Sequence, residues 1–146
     1  MMKPDLILIA NATHARLLRR APGTALQLVH SFEHPQSRAK SSDLTSDRSG
    51  QQQTGRGAGS ASFPPRLDAK AKEHQHFAHE LAGHLENEAR HNGFHALCII
   101  ASSPFLGRLK GELGSAATRL LSGTRDLDLT SVPLHELDAR ITLALA

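Results

Sequence analysis

The chain contains no tryptophan and no tyrosine, and five phenylalanines are its only aromatic residues apart from histidine. Recognition of single-stranded nucleic acid by stacking bases on several aromatic rings is therefore excluded, and the core must be aliphatic. Cysteine is equally scarce. Cys98 stands alone in the apolar run HALCIIA, which rules out an intrachain disulfide and marks a buried, inert thiol. No apolar run approaches the roughly twenty residues of a membrane span. The opening MMKPDLILIANATHARLL is also too short in apolar residues for a secretory signal, so a cytoplasmic location with no membrane partner is expected. The glycine-rich stretch GQQQTGRGAGSASFPPR is not followed by the Gly-Lys-Ser/Thr of a P-loop. GAGSA departs from the Gly-x-Ser-x-Gly elbow, which removes Ser60 as a nucleophile.

What is present is enough for one domain spanning residues 1–146, a length that buries roughly two thirds of the surface of the unfolded chain. The formal charge of +3, with ten histidines in reserve, mildly favours polyanions, although ordinary soluble proteins carry a similar excess. Leu6 to Ala10 reads as a strand buried on both faces and HARLLRR as a second. In ALQLVHSFE, Leu26, Leu28, His30 and Phe32 alternate with Gln27, Val29, Ser31 and Glu33, and APGT supplies the preceding turn, so the three segments form an antiparallel meander.

Asp68 to His91 reads as a long helix, with Asp68 as its N-cap, Gly93 as its stop, and Phe77, Ala78, Leu81, Ala82, Leu85 and Ala89 along one stripe. His95 to Ala101 is an apolar strand. SSPFLGRLKGEL opens a helix with Ser103 as N-cap and Pro104 at the first helical position, and SAATRLLSG continues as a short one. TRDLDLT alternates Leu127 and Leu129 with Asp126 and Asp128 as a half-wet strand, and PLHELDARITLAL closes the chain as an amphipathic helix with Pro133 in its first turn. The fold class that follows is α/β, a single domain with a mixed sheet of about five strands and flanking helices.

Residues 35–65 show no sustained period, and a loop so much longer than about 15 residues needs a reason. Gly55, Gly57 and Gly59 allow close backbone approach to a sugar-phosphate chain. Arg48, Arg56 and Arg66 supply planar donor forks suited to phosphate oxygens. A passive connection would have the same composition. On the long helix, His76, Glu80 and His84 recur at intervals of four on the side away from the apolar stripe. Such residues suit zinc, but a solvated polar face has the same pattern and successive ligands would spread over about 12 Å, so no metal is expected. His74 falls on the apolar side as a packed core-edge histidine.

The order of these pieces resembles the middle domain of archaeal and eukaryotic class-1 translation release factors: a basic Gly-Arg-Gly loop, a long helix, then an apolar strand running into ASSPFLGRLKGEL. In that family a Gly-Arg-Gly-Gly-Gln loop promotes peptidyl-tRNA hydrolysis. Here the motif falls on Gly55-Arg56-Gly57-Ala58-Gly59, with Ala58 in place of the second glycine of the pair and Gly59 in place of the glutamine, so the release reaction does not carry over. A closer resemblance, covering nearly the whole chain, is to the bacterial host attachment proteins, which look like relatives of that domain. It rests on LILIANATHARLLRR, SDLTSDRSG with GRG, AKEHQHFAHELAGHL, SPFLGRLKGEL and DLDLT. The family usually has a Ser or Thr cap before the proline of the last helix, where this chain has Val132.

The resemblance implies a non-catalytic cytoplasmic module without cofactors. It binds the ribosome or structured RNA through Arg48, Gly55, Arg56, Gly57, Gly59 and Arg66, and influences attachment from inside the cell. Two other readings stay open: a regulatory factor that meets a protein partner or forms a homo-oligomer, and a hydrolase built on His76, Glu80 and His84.

Overall fold

The computed structural model describes residues 3–34, 65–91 and 93–146. Along the described chain the elements are β1 (Asp5–Ala10), β2 (His14–Arg20), β3 (Gln27–Glu33), the long helix α1 (Pro65–Arg90), β4 (Ala96–Ala101), α2 (Phe105–Glu112), α3 (Ser115–Leu120), β5 (Leu121–Asp126) and α4 (Leu134–Leu145). The strands form one five-stranded sheet in the order β3-β2-β1-β4-β5. β1–β2 and β2–β3 pair antiparallel as the expected meander, while β1–β4 and β4–β5 pair parallel. The turn between β2 and β3 holds Gly23 at φ 76°, a conformation that a side chain disfavours.

β4, and β1 after its exposed Asp5, are apolar because both of their faces are covered. Leu6, Leu8, Leu97 and Ile99 face a core completed by α1, α2 and α3, with Phe77, Leu81 and Leu85 from α1 and Phe105 and Leu109 from α2. Ile7, Ile9, Cys98 and Ile100 face a smaller core closed by Leu137 and Ile141 of α4. The lone cysteine is buried in that second core, and burial pushes its thiol above the usual value. Glu86 of α1 accepts the backbone N–H groups of Ala116 and Ala117, fixing the start of α3 from a neighbouring helix. A Cβ at Gly114 would lie 2.4 Å from the Glu86 side chain, so this close approach requires glycine.

Several boundaries differ from the sequence expectation. α1 begins at Pro65, not at Asp68, because proline is well tolerated at a first helical position, where its missing N–H has no partner to lose. α2 begins at Phe105 with Pro104 before it, and Ser103 caps nothing in the helix because its hydroxyl is bonded to Asp126. The last strand is Leu121–Asp126: pairing with β4 takes Leu121, Ser122 and Gly123 from the expected short helix, and Leu127 and Leu129 fall beyond the strand. α4 begins at Leu134, with Pro133 just outside it.

β3 carries the most informative difference. A bulge opposite Leu17 and Leu18 pairs His30 with Leu17 but Leu28 with Leu18, so one residue is skipped and the simple alternation breaks. Leu26 packs toward the α4 core, while Phe32 packs on the α1 core and His30 stacks on His84 of α1.

Phe77 has no exposed surface and its ring lies 5.7 Å from that of Phe105. Phe77→Ala is expected to lower the unfolding free energy by about 3–5 kcal/mol. Urea denaturation should show this as a reduced midpoint at unchanged slope.

Candidate functional site

Parallel strands β1, β4 and β5 end together, and their carboxyl ends form the polar end of the sheet, the usual location of sites in open α/β sheets. Asn11, directly after β1, organises it. Its side-chain oxygen accepts the backbone N–H groups of Thr13 at 2.9 Å and His14 at 2.8 Å. Its amide donates to Asp128 and to the Thr130 hydroxyl, both at 3.0 Å. Asp128 in turn accepts the Thr130 N–H and hydroxyl at 2.9 and 2.6 Å. Arg16 donates to the Val132 carbonyl at 2.6 Å, and its packing here holds the segment that precedes α4. One amide side chain thus ties the β1–β2 turn to residues after β5.

Beside it, Asp126 accepts both the N–H and the hydroxyl of Ser103, at 3.0 and 2.6 Å. These bonds, the hydroxyl first, hold its carboxyl below the ordinary value. Desolvation acts on Asp128 in the opposite sense, but the bonds from Thr130 and Asn11 outweigh it and hold that carboxyl low as well. The Ser103 proton is therefore directed at a weakly basic carboxylate.

The third part is His34, the single buried polar side chain among the described residues. Its N–H donates to the Thr13 carbonyl at 3.1 Å, and its Nε2 lies 2.7 Å from Glu73 of α1, with Glu80 at 3.8 Å from Nδ1. The residue that ends β3 is thereby pinned to both the Asn11 turn and the long helix. Because β3 runs parallel to β1, and α1 must return the chain to the start of β4, the chain leaves at His34 and re-enters at Pro65 at this same end.

Next to these anchor points α1 and α2 carry Lys70, Lys72 and Arg108. Burial first, then the charges of Arg108 and Lys70, push His74 below the ordinary imidazole value. Arg108 also reaches Gln75 at 3.4 Å, and Glu112 bonds His79 at 2.8 Å, so α2 is tethered across the basic flank.

Of the residues singled out in the sequence, Arg48, Gly55, Arg56, Gly57 and Gly59 lie outside the described residues. Arg66 does not belong to the loop: it is the second residue of α1, in the first turn of a helix at the polar end. His76 and Glu80 are exposed, as on a solvated face, while His84 is half-buried. His84 lies 5.5 Å from the His30 ring and 5.2 Å from that of Phe32 on β3, and His76 lies 5.9 Å from His34. Among the described residues no group of three or more His, Cys, Asp or Glu is arranged to hold a metal ion. His74 is half-buried at the core edge, as expected. Asn11, His34, Asp128 and Thr130 were missed. The Asn-x-Thr-His run after an apolar strand is the local signal for a side-chain-capped turn.

These features define an α/β domain whose polar sheet end is locked by side-chain hydrogen bonds, with His34 and Pro65, where the chain leaves and re-enters, at that end. Residues 6–141 match the family described as "Protein required for attachment to host cells", and the chain belongs to that family. A search among curated proteins finds no match. No helix among the described residues is long and apolar enough to cross a membrane.

Asn11→Ala is expected to cost about 1–3 kcal/mol by leaving its partners unpaired. Carboxyls held low in the folded state stabilise it fully above their unfolded value of about 4, and that contribution is lost as pH falls through the lower folded value. Stability measured from pH 6 down to pH 2 should therefore fall on the acid side, with a shallower fall in Asp128→Asn.

Proposed function

We propose that the protein acts in attachment to host cells indirectly, as a non-catalytic cytoplasmic module that binds ribosomal or other structured RNA. The Gly/Arg segment containing Arg48 and Arg56 and the basic flank of α1 form the binding surface. The observation that carries this reading is the placement of Lys70 and Arg108. Lys70 lies on α1, the helix to which the chain returns after the segment, and Arg108 lies on α2 packed beside it, reaching Gln75 of α1 at 3.4 Å. Cationic side chains at that point favour the phosphates of a polyanion over a neutral partner. The guanidinium of Arg56 offers paired donors to phosphate oxygens, and Gly55, Gly57 and Gly59 keep side chains from holding the backbone away. Locked hydrogen bonds at the sheet end supply a rigid base, so binding RNA there does not require the domain to reorganise. The absence of a glutamine at Gly59 is the reason for assigning binding without release chemistry.

Binding through phosphates releases counterions and is steeply salt-dependent. Arg56→Ala is expected to weaken retention of a structured RNA hairpin in filter binding and to reduce the slope of log affinity against log salt by about one. Lys70→Ala should act in the same direction, and cells relying on Arg56→Ala should attach less well. Failure of the full chain to retain RNA or ribosomes at low salt would overturn the reading. So would co-purification of a partner that survives nuclease treatment, which indicates a protein-binding role instead.

A further inference from the structure

At the opposite end of the sheet, where β1, β4 and β5 begin, a cavity of about 210 Å³ lies on the face covered by α4. Its floor consists of short side chains at neighbouring positions of two strands: Ala96 and Cys98 of β4 and Gly123 of β5. Glycine inside a strand weakens the strand and leaves the face unfilled, a common sign of close approach by another group. Crowding does not impose it here. A Cβ at Gly123 would meet nothing nearer than Arg125 Nη1, at 3.9 Å.

Two guanidinium groups border this floor. Arg20 pairs with Asp138 and Thr142 through Nη2. Arg125 donates Nε to the Ala144 carbonyl at 2.8 Å and Nη1 to the Thr124 carbonyl at 2.8 Å. Among the described residues, the partners of Arg125 are thus carbonyls and not carboxylates, so its charge is not neutralised by an ion pair. A second hollow of about 420 Å³ adjoins the first, sharing Asp5 and Arg20 and adding Lys3, His95 and Asp138. Across both, Lys3, Arg20 and Arg125 face Asp5 and Asp138: three permanent cations against two carboxylates.

We propose that this cavity binds a small molecule bearing an oxyanion, a carboxylate or a phosphate ester. Arg125 and Arg20 hold the oxyanion above Gly123, and the apolar part of the ligand lies against Ile7 and Leu145. The remaining N–H groups of the two guanidiniums are the donors, and a planar fork suits either oxyanion. Asp5, with His95 3.4 Å away, limits the charge that the site tolerates and favours a monoanion over a polyanion. This site lies at the other end of the sheet from the basic flank of α1, and it stands independently of the RNA reading.

Cys98 makes the proposal testable, because the chain's single thiol is part of the floor. Alkylation of the full chain by iodoacetamide is followed by intact mass with inorganic phosphate or acetate present, against sodium chloride at equal ionic strength. Phosphate, acetate or both are expected to slow alkylation several-fold, and which of them does so assigns the oxyanion. In calorimetry, Arg125→Met is expected to weaken binding of the effective probe about tenfold or more, since it removes a charge-assisted hydrogen bond. Arg125 also caps α4, so a second variant guards against misfolding. Gly123→Val fills the floor and should abolish both binding and protection with the melting temperature unchanged or raised. The proposal is overturned if neither anion slows alkylation beyond the chloride control, or if protection persists undiminished in Gly123→Val.

Discussion

Backbone hydrogen bonds between β1 and β4 bring Asp5 opposite Ala96 and Ala10 opposite Ala101, two segments separated in sequence by residues 11–95. Because the pairing is parallel, it cannot be closed by a tight turn and needs a long crossover. α1 is that crossover. Its apolar stripe is buried by the same strands whose distance it spans, so the connection contributes to the core that justifies it. Every other feature follows from this pair. β2 and β3 extend it on one side as hairpins, β5 on the other, and the alternation of Leu6, Ile7, Leu8 and Ile9 sends successive side chains into two separate cores.

The same pairing gives the domain two chemically different ends. Where the parallel strands finish, polar groups are matched to one another: Asn11 with Asp128 and Thr130, Ser103 with Asp126, His34 with Glu73. Such groups add rigidity, and the lowered carboxyls of Asp126 and Asp128 are weak bases. Where the strands begin, α4 has run out, short side chains leave space, and arginine charge is incompletely matched. The two ends therefore differ in kind: matched hydrogen bonds where the chain leaves at His34 and re-enters at Pro65, and an unfilled hollow at the other end.

Much of this architecture was legible in the sequence. Period-two and period-3.6 patterns located β1, β2, α1, β4 and α4 within a few residues, because each has at least one fully buried face whose signal is strong. β5 was misplaced because its own residues, Leu121 to Asp126, are half-exposed and carry little pattern, while Leu127 and Leu129 beyond it mimic a strand. The bulge in β3 had no local signal, since it depends on which residues of β2 lie opposite. Asn11, His34 and Asp128 were harder still. Their partners lie up to 119 residues away, and single polar residues announce nothing until the fold brings them together. Arg66 is the reverse case, a charge given to the loop instead of to the helix that Pro65 starts.

Because His34 and Pro65 stand at one end of the sheet, the fold asks of residues 35–64 only that they depart and return there. The entropic penalty of such a closure grows slowly, by about 0.6 kcal/mol for each doubling of length. Relatives of this domain are thus free to lengthen, shorten or replace that stretch wholesale without renegotiating the core, and an engineer is equally free to graft a reporter between those two posts.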